Sequence, residues 1–159
     1  VRTKLIMTTQ EFINKYHPCG EARIWLAANA STIEEAWTKT TRLDWMLWAA
    51  MHSNLKFVVL KEILLPIQIT DVNSLAVLNA LDNPEQADWR MLANNLAFAT
   101  YNYQSITSAV AHVVFAARAI NVDNAAGHAI DAYRSAANHA NHNYTEHLIT
   151  KLKSLSPVW

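Results

Sequence analysis

Glycine is nearly missing, with two in 159 residues. Sandwiches, barrels, phosphate loops and dinucleotide folds all place glycine at tight turns or against phosphates, so each is disfavoured. Cysteine is nearly missing too: Cys19 stands alone, which excludes an intrachain disulfide and a multi-cysteine zinc site. An excess of charge is also lacking, because 13 basic residues balance 13 acidic ones. A neutral chain has no general attraction for nucleic acid or an anionic membrane. Long apolar runs are absent as well. The longest, around Leu55 to Ile69, is interrupted by Lys56, Lys61, Glu62 and Pro66. A spanning helix needs about 20 apolar residues, so this stretch reads as a core helix. The N-terminus lacks the apolar stretch of a secretory signal, and a cytoplasmic location in a bacterial host cell is expected.

What remains is a chain that is 52% hydrophobic and 16% charged, rich enough in apolar residues to build a core. Its punctuation is helical. Thr8 or Thr9 caps a short helix that runs to Tyr16 and is broken by Pro18. Glu21 to Ala28 follows. Ser31 with Glu34 matches a capping box for a helix carrying Ile33, Ala36 and Trp37. Leu43 to Met51 and Leu55 to Leu65 come next, then Val72 to Leu81 behind an Asp71 cap. Pro84 and Glu85 open a helix through Trp89, Leu92, Leu96, Ala99 and Tyr103. Ser105 to Ile120 has helical spacing, and a last helix from about Asp123 to Leu152 would span roughly 30 residues, near 45 Å. The expected fold is a single all-α domain over residues 1–159. It is a bundle of about seven or eight helices with a long C-terminal helix, residues 1–8 being a flexible or non-native start.

That last segment carries two stripes. Ile130, Tyr133, Ala137, Ala140, Tyr144 and Leu148 share one face, and small alanines there allow close approach of another helix. His128, Asp131, Ser135, Asn138 and His142 form the second. A polar stripe is ordinarily solvated surface, but histidine and asparagine in place of lysine and glutamate also suit a ligand groove or subunit interface. A homo-oligomer through the C-terminal helices is the expected assembly.

Candidate chemistry is sparse. His139, His142 and Glu146 have the spacing to share a helix face, but no HExxH or paired Glu-x-x-His motif accompanies them, and no metal or other cofactor is expected. Cys19 reads as an inert thiol, and no acid/base pair or nucleophile elbow occurs, so no enzyme is expected. Trp25, Trp37, Trp45 and Trp48 read as a shared core, the other use of such a cluster being an aromatic cage for a cation or base. On the core reading, Trp45→Ala should cost about 3–5 kcal/mol. Arg90, Asn94 and Tyr101 share a face beside Trp89, and Arg118 and Arg134 add cations. A small ligand would therefore lie among Trp89, Arg90, Asn94, Tyr101, Arg118, His128, Asp131, Arg134, Asn138 and His142. There an arginine would neutralise a phosphate and an aromatic ring would stack on a base.

The segment 19–50 resembles an immunity-protein family of bacterial toxin systems, the fifth-numbered all-α family, also found in phage and prophage genomes. Cys19 with Glu21 and Ala22, Trp25-Leu26, Glu35-Ala36-Trp37, Asp44-Trp45 and Leu47-Trp48 carry the resemblance. The chain departs from the pattern at Met51-His52-Ser53, where the family has glycine and arginine. The resemblance implies an α-helical, non-catalytic protein that neutralises a target by binding it. Two functions follow as expectations. One is occlusion of a toxin or defence effector protein; the other is a phage-encoded sponge that sequesters a nucleotide-derived immune signal (anti-defence), with an enzyme degrading that signal a weaker third.

Overall fold

The computed structural model describes residues 6–97 and 105–159, and its described residues form ten α-helices and no strand. The N-terminal layer is α1 (Thr9–Tyr16), α2 (Gly20–Asn29) and α3 (Ile33–Lys39). The body is α4 (Leu43–Met51), α5 (Lys56–Leu64), α6 (Val72–Asp82), α7 (Trp89–Ala97), α8 (Ser105–Arg118), α9 (Val122–Ala137) and α10 (Tyr144–Lys153). No helix among the described residues is long and apolar enough to cross a membrane.

Local chemistry sets most of the boundaries. Thr8 accepts from the Glu11 amide while the Glu11 carboxylate accepts from the Thr8 amide, a reciprocal box that starts α1. Asp71 caps α6 by accepting from the Ser74 amide at 2.9 Å. The α3 cap lies one residue later than the sequence suggests. Thr32 accepts from the Glu35 amide, and Glu35 in turn accepts from the Ser31 amide and hydroxyl. Lys39 and Ser31 together hold the Glu35 carboxyl at a pKa of about 2. Pro84 does not open a helix. Residues 83–87 form turns, Asp88 accepts from the Met91 amide, and α7 begins at Trp89.

The larger correction concerns the C-terminal third, where more and shorter helices replace the expected long rod. The chain leaves α9 at Ala137, turns through residues 138–143 and restarts at Tyr144. That turn reads Asn138-His139-Ala140-Asn141-His142-Asn143, and asparagine side chains compete with the helical backbone for hydrogen bonds. The buried stripe of α9 is also rotated from the expected one. Ala125, Ala126, Ala129, Ala132 and Ala136 are the buried positions, whereas Ile130, Tyr133 and Ala137 are only half-buried. These alanines let α9 pack closely along α8, whose inner face is Ala109, Val110, Val113 and Ala116. Ala137 and Ala140, the alanines of the stripe considered for an oligomer, are half-buried.

Two apolar clusters result. The main one joins α4 to α10 around Met46, Leu47, Leu60, Ile63, Val110 and Leu148. A small one, Phe12, Leu26, Ile33 and Ala36, belongs to α1–α3. Trp48, Ala49 and Trp159 pack against both. Trp159 is positioned by Asn54, whose amide donates to the Val158 carbonyl and whose side-chain oxygen accepts from the Val158 amide.

His52, at the C-terminus of α4, packs its ring on Tyr16 at 4.5 Å and Trp48 at 4.4 Å. Burial pushes its pKa below the ordinary histidine value, with Asp123 pulling partly back. The unfolded chain therefore takes up this proton first as pH falls. The stability is present above about pH 6.5 and is lost as pH drops toward the folded pKa. Between pH 7 and pH 5 the fall in Tm should be smaller for His52→Gln than for the wild type. Equal falls would remove His52 from the acid response.

Candidate functional site

Between the N-terminal layer and α4 lies an open cleft of about 330 Å³. Its position follows from α4, LDWMLWAAM, which is apolar around most of its circumference. Leu43, Met46, Leu47, Ala50 and Met51 form the face buried in the main core. Trp45, Trp48 and Ala49 project from the remaining surface, half-buried, and meet α1–α3 across the cleft. One helix thus serves a core and a groove at once, because period-3.6 geometry gives it two usable apolar faces.

The expectation of one shared tryptophan core is corrected accordingly. Trp37 alone among the four is buried, at 6% exposure. Its indole N–H donates to the Leu152 carbonyl at 3.0 Å, and its ring meets Trp159 edge-on at 5.6 Å. Trp25 and Trp45 face each other at 5.8 Å, and both remain half-buried in the cleft wall. Trp45 belongs to neither apolar cluster, so the large stability cost expected of Trp45→Ala does not apply. Trp48 packs against both apolar clusters, with its indole N–H 3.4 Å from Asp123.

The polar part of the lining is small: Arg42, Asp44, Glu21 and Thr40, with the exposed Cys19 beside them. Arg42 donates through Nε and Nη2 to the two oxygens of Asp44 at 3.0 and 2.9 Å. Its Nη1 donates to Glu21 at 2.9 Å, and its guanidinium stacks 4.3 Å from the Trp45 ring centroid. The fork holds the Asp44 carboxyl below its ordinary pKa and raises that of Arg42 further, so both stay charged. Two carboxylates against one guanidinium leave this polar edge with one negative charge. All the donors of Arg42 that face Asp44 and Glu21 are already in use.

Of the residues expected to form a site, none of those described lines this cleft. Trp89 is half-buried, stacks on Phe57 at 6.1 Å and donates to the Pro84 carbonyl at 3.2 Å, which ties down the start of α7. Arg90 and Asn94 are exposed on α7, which packs on α6 and α8. Tyr101 lies outside the described residues. Arg118 is exposed at the end of α8, and Arg134 is exposed beside Asp131 at 3.7 Å. His128 and Asp131 are half-buried toward α8, while Asn138 ends α9 and His142 is exposed in the turn beyond it. His139, His142 and Glu146 do not converge, because the helix break separates them.

Most of the residues that carried the family resemblance converge, the exceptions being Glu35, which holds Ser31 at the start of α3, and Leu47, which is buried in the main core. Cys19, Glu21, Ala22, Trp25, Leu26, Ala36, Trp37, Asp44, Trp45 and Trp48 all line the cleft. A signal for this was present in the sequence: four tryptophans in a short stretch, interleaved with Arg42, Asp44 and Glu21, exceed what one small core takes up. Chemically, the cleft offers partly exposed aromatic surface next to a fixed, net-negative polar edge. Compared with protein-family models, with curated proteins and with solved structures, the chain matches none of them.

Proposed function

We propose that the protein is a non-catalytic neutralising protein of the immunity type, which occludes a toxin or defence effector by gripping a protruding segment of it in the tryptophan cleft. The observation that carries this reading is the pairing of an apolar, aromatic cleft with a net-negative edge. Aromatic pockets that exclude water supply the strongest anchors in protein interfaces. The cleft volume, about 330 Å³, suits one or two large side chains. Its charge selects an apolar or aromatic side chain next to a lysine or arginine, since a cation gains from both the carboxylates and the indole faces. A nucleotide is served less well. Its phosphates would meet Glu21 and Asp44, and Arg42 is already forked onto those carboxylates.

The test uses a defined probe, a displayed random-peptide library selected on the whole protein. Enrichment of an apolar residue adjacent to a basic one is expected. Binding of the selected peptide should weaken by about 2 kcal/mol or more, roughly 30-fold, in Trp45→Ala. The same variant should keep its melting temperature within a few degrees, since Trp45 stands outside both cores. Peptide binding unaffected by Trp45→Ala would overturn the assignment. So would stoichiometric uptake of a cyclic nucleotide or ADP-ribose derivative, released intact on denaturation, which is the behaviour of a sponge. Release of an altered nucleotide would mark an enzyme.

A further inference from the structure

Outside the cleft lining, α8 and α9 share a polar seam. Ser108 and Ser135 face each other at 3.3 Å, and one step along the hairpin His112 and His128 do the same. The two imidazoles meet through their Nδ1 atoms, 3.1 Å apart. Asp131 lies one helical turn beyond His128 on the same face of α9. One nitrogen from each ring and one Asp131 oxygen fall within 4.8 Å of one another, and all three residues are half-buried.

We propose that His112, His128 and Asp131 form a binding site for one divalent transition-metal ion of the zinc class. The donor set is the one such ions prefer, two imidazole nitrogens and a carboxylate. The spacing fits as well. With bonds of about 2.05 Å to nitrogen, neighbouring ligands of a tetrahedral ion stand roughly 3.3 Å apart. The two Nδ1 atoms, 3.1 Å apart, are already close to that separation, brought there by helices packed through their alanines. The Asp131 oxygen, within 4.8 Å of the ring nitrogens, would complete the third edge by moving closer on binding.

The rings are oriented before any ion arrives. Phe115 packs against both, with centroids 6.2 Å from His112 and 5.2 Å from His128. Two neutral imidazoles in Nδ1-to-Nδ1 contact share one hydrogen atom, so one ring carries Nδ1–H and the other Nε2–H. An ion takes both Nδ1 lone pairs, and the shared proton moves to Nε2 of its own ring through solvent, with no net proton released. Three protein ligands leave at least one coordination position for water or an incoming donor. One carboxylate against a divalent ion leaves a positive centre next to Arg134, so an anionic donor is the favoured fourth ligand. The ion would clamp α8 to α9.

The test is metal uptake by the whole, untagged chain after dialysis against a chelator. One equivalent of Co²⁺ should bind with micromolar affinity or better and produce the visible absorption of a four-coordinate site. Zn²⁺ should displace it and raise Tm. His112→Ala should weaken binding at least about 100-fold, the scale on which even an outer partner's loss registers. Asp131→Asn, a half-exposed substitution with little risk to the fold, should weaken binding in the same direction and decides the matter if His112→Ala does not fold. The double variant His139→Ala/His142→Ala should bind as the wild type does. Absence of one-to-one uptake by the wild type overturns the site, as does uptake that survives His112→Ala and Asp131→Asn in folded protein or is lost with His139 and His142.

Discussion

Trp37→Ala is expected to lower the free energy of unfolding by about 3–5 kcal/mol, measured as a shift in urea midpoint at unchanged slope. Natural domains hold roughly 5–15 kcal/mol in reserve, so this single change removes a large share of it. The cause is position as much as size. Trp37 leaves α3 but reaches the C-terminal helix, where its indole N–H donates to the Leu152 carbonyl at 3.0 Å in a buried setting. Its ring also supports Trp159 at 5.6 Å, and Trp159 in turn meets Phe12 at 5.5 Å. Removing the side chain opens a void where the N-terminal layer, α4 and α10 meet, and takes away one donor to the Leu152 carbonyl, which keeps the Leu155 amide at 3.0 Å. Trp37→Phe separates the two effects. It keeps most of the apolar contact and loses the donor, for an expected cost of about 1–3 kcal/mol. A loss for Trp37→Ala no greater than that of Trp45→Ala would show that Trp37 does not hold the N-terminal layer to α10.

The contrast between these tryptophans marks how far the sequence could be read. Composition and helical spacing correctly give an all-α chain, and the boundaries of α1, α4 and α5 follow from Thr8, Pro18, Pro66 and the apolar runs between them. The same spacing cannot tell a core face from a groove face. Trp45 and Trp37 are equally apolar and equally periodic, and only the angle at which α1–α3 approach α4 makes one buried and the other half-open. The Arg42 fork was the local clue. A bidentate Arg42–Asp44 pair two residues apart, next to Trp45, requires water nearby, because both side chains stay more than 40% exposed.

The histidine pair was hidden for a different reason. His128 and Asp131 stand out on α9 as a polar stripe, but His112 has only apolar neighbours in sequence and reads as an isolated core position. What joins them is the tight connection at residues 119–121, which makes α8 and α9 an antiparallel hairpin. Residues eight positions before and after residue 120 then face each other, as His112 and His128 do. The sequence places that boundary, between Ile120 and Asp123, but not the faces on which the two helices meet. The break after Ala137 was legible in principle from its three asparagines. Alanine and histidine between them kept the helical period, and periodicity outweighed the turn signal.

That break sets up the second large effect. Leu148→Ala should cost about 2–5 kcal/mol, whereas the volume-conserving Leu148→Met should cost less than about 1.5. α10 is ten residues long and detached from α9, too short to hold its helix by intrinsic propensity. Docking holds it, through Tyr144, Leu148 and Leu152, which recur every fourth residue and are all buried. Tyr144 anchors the start by donating its hydroxyl to the Ile63 carbonyl at 2.7 Å, and burial pushes its pKa well above the ordinary tyrosine value, so it remains a donor in alkaline solution. Leu148, at 1% exposure, is the middle of the three and packs among α4 and α5. Truncating it leaves a cavity that neither neighbour can close, because Tyr144 and Leu152 fix α10 on both sides. Amide exchange should then quicken across 144–153 before it quickens in α8 and α9. A cost of no more than about 0.5 kcal/mol, the scale of a surface change, would show that α10 is not docked through Leu148.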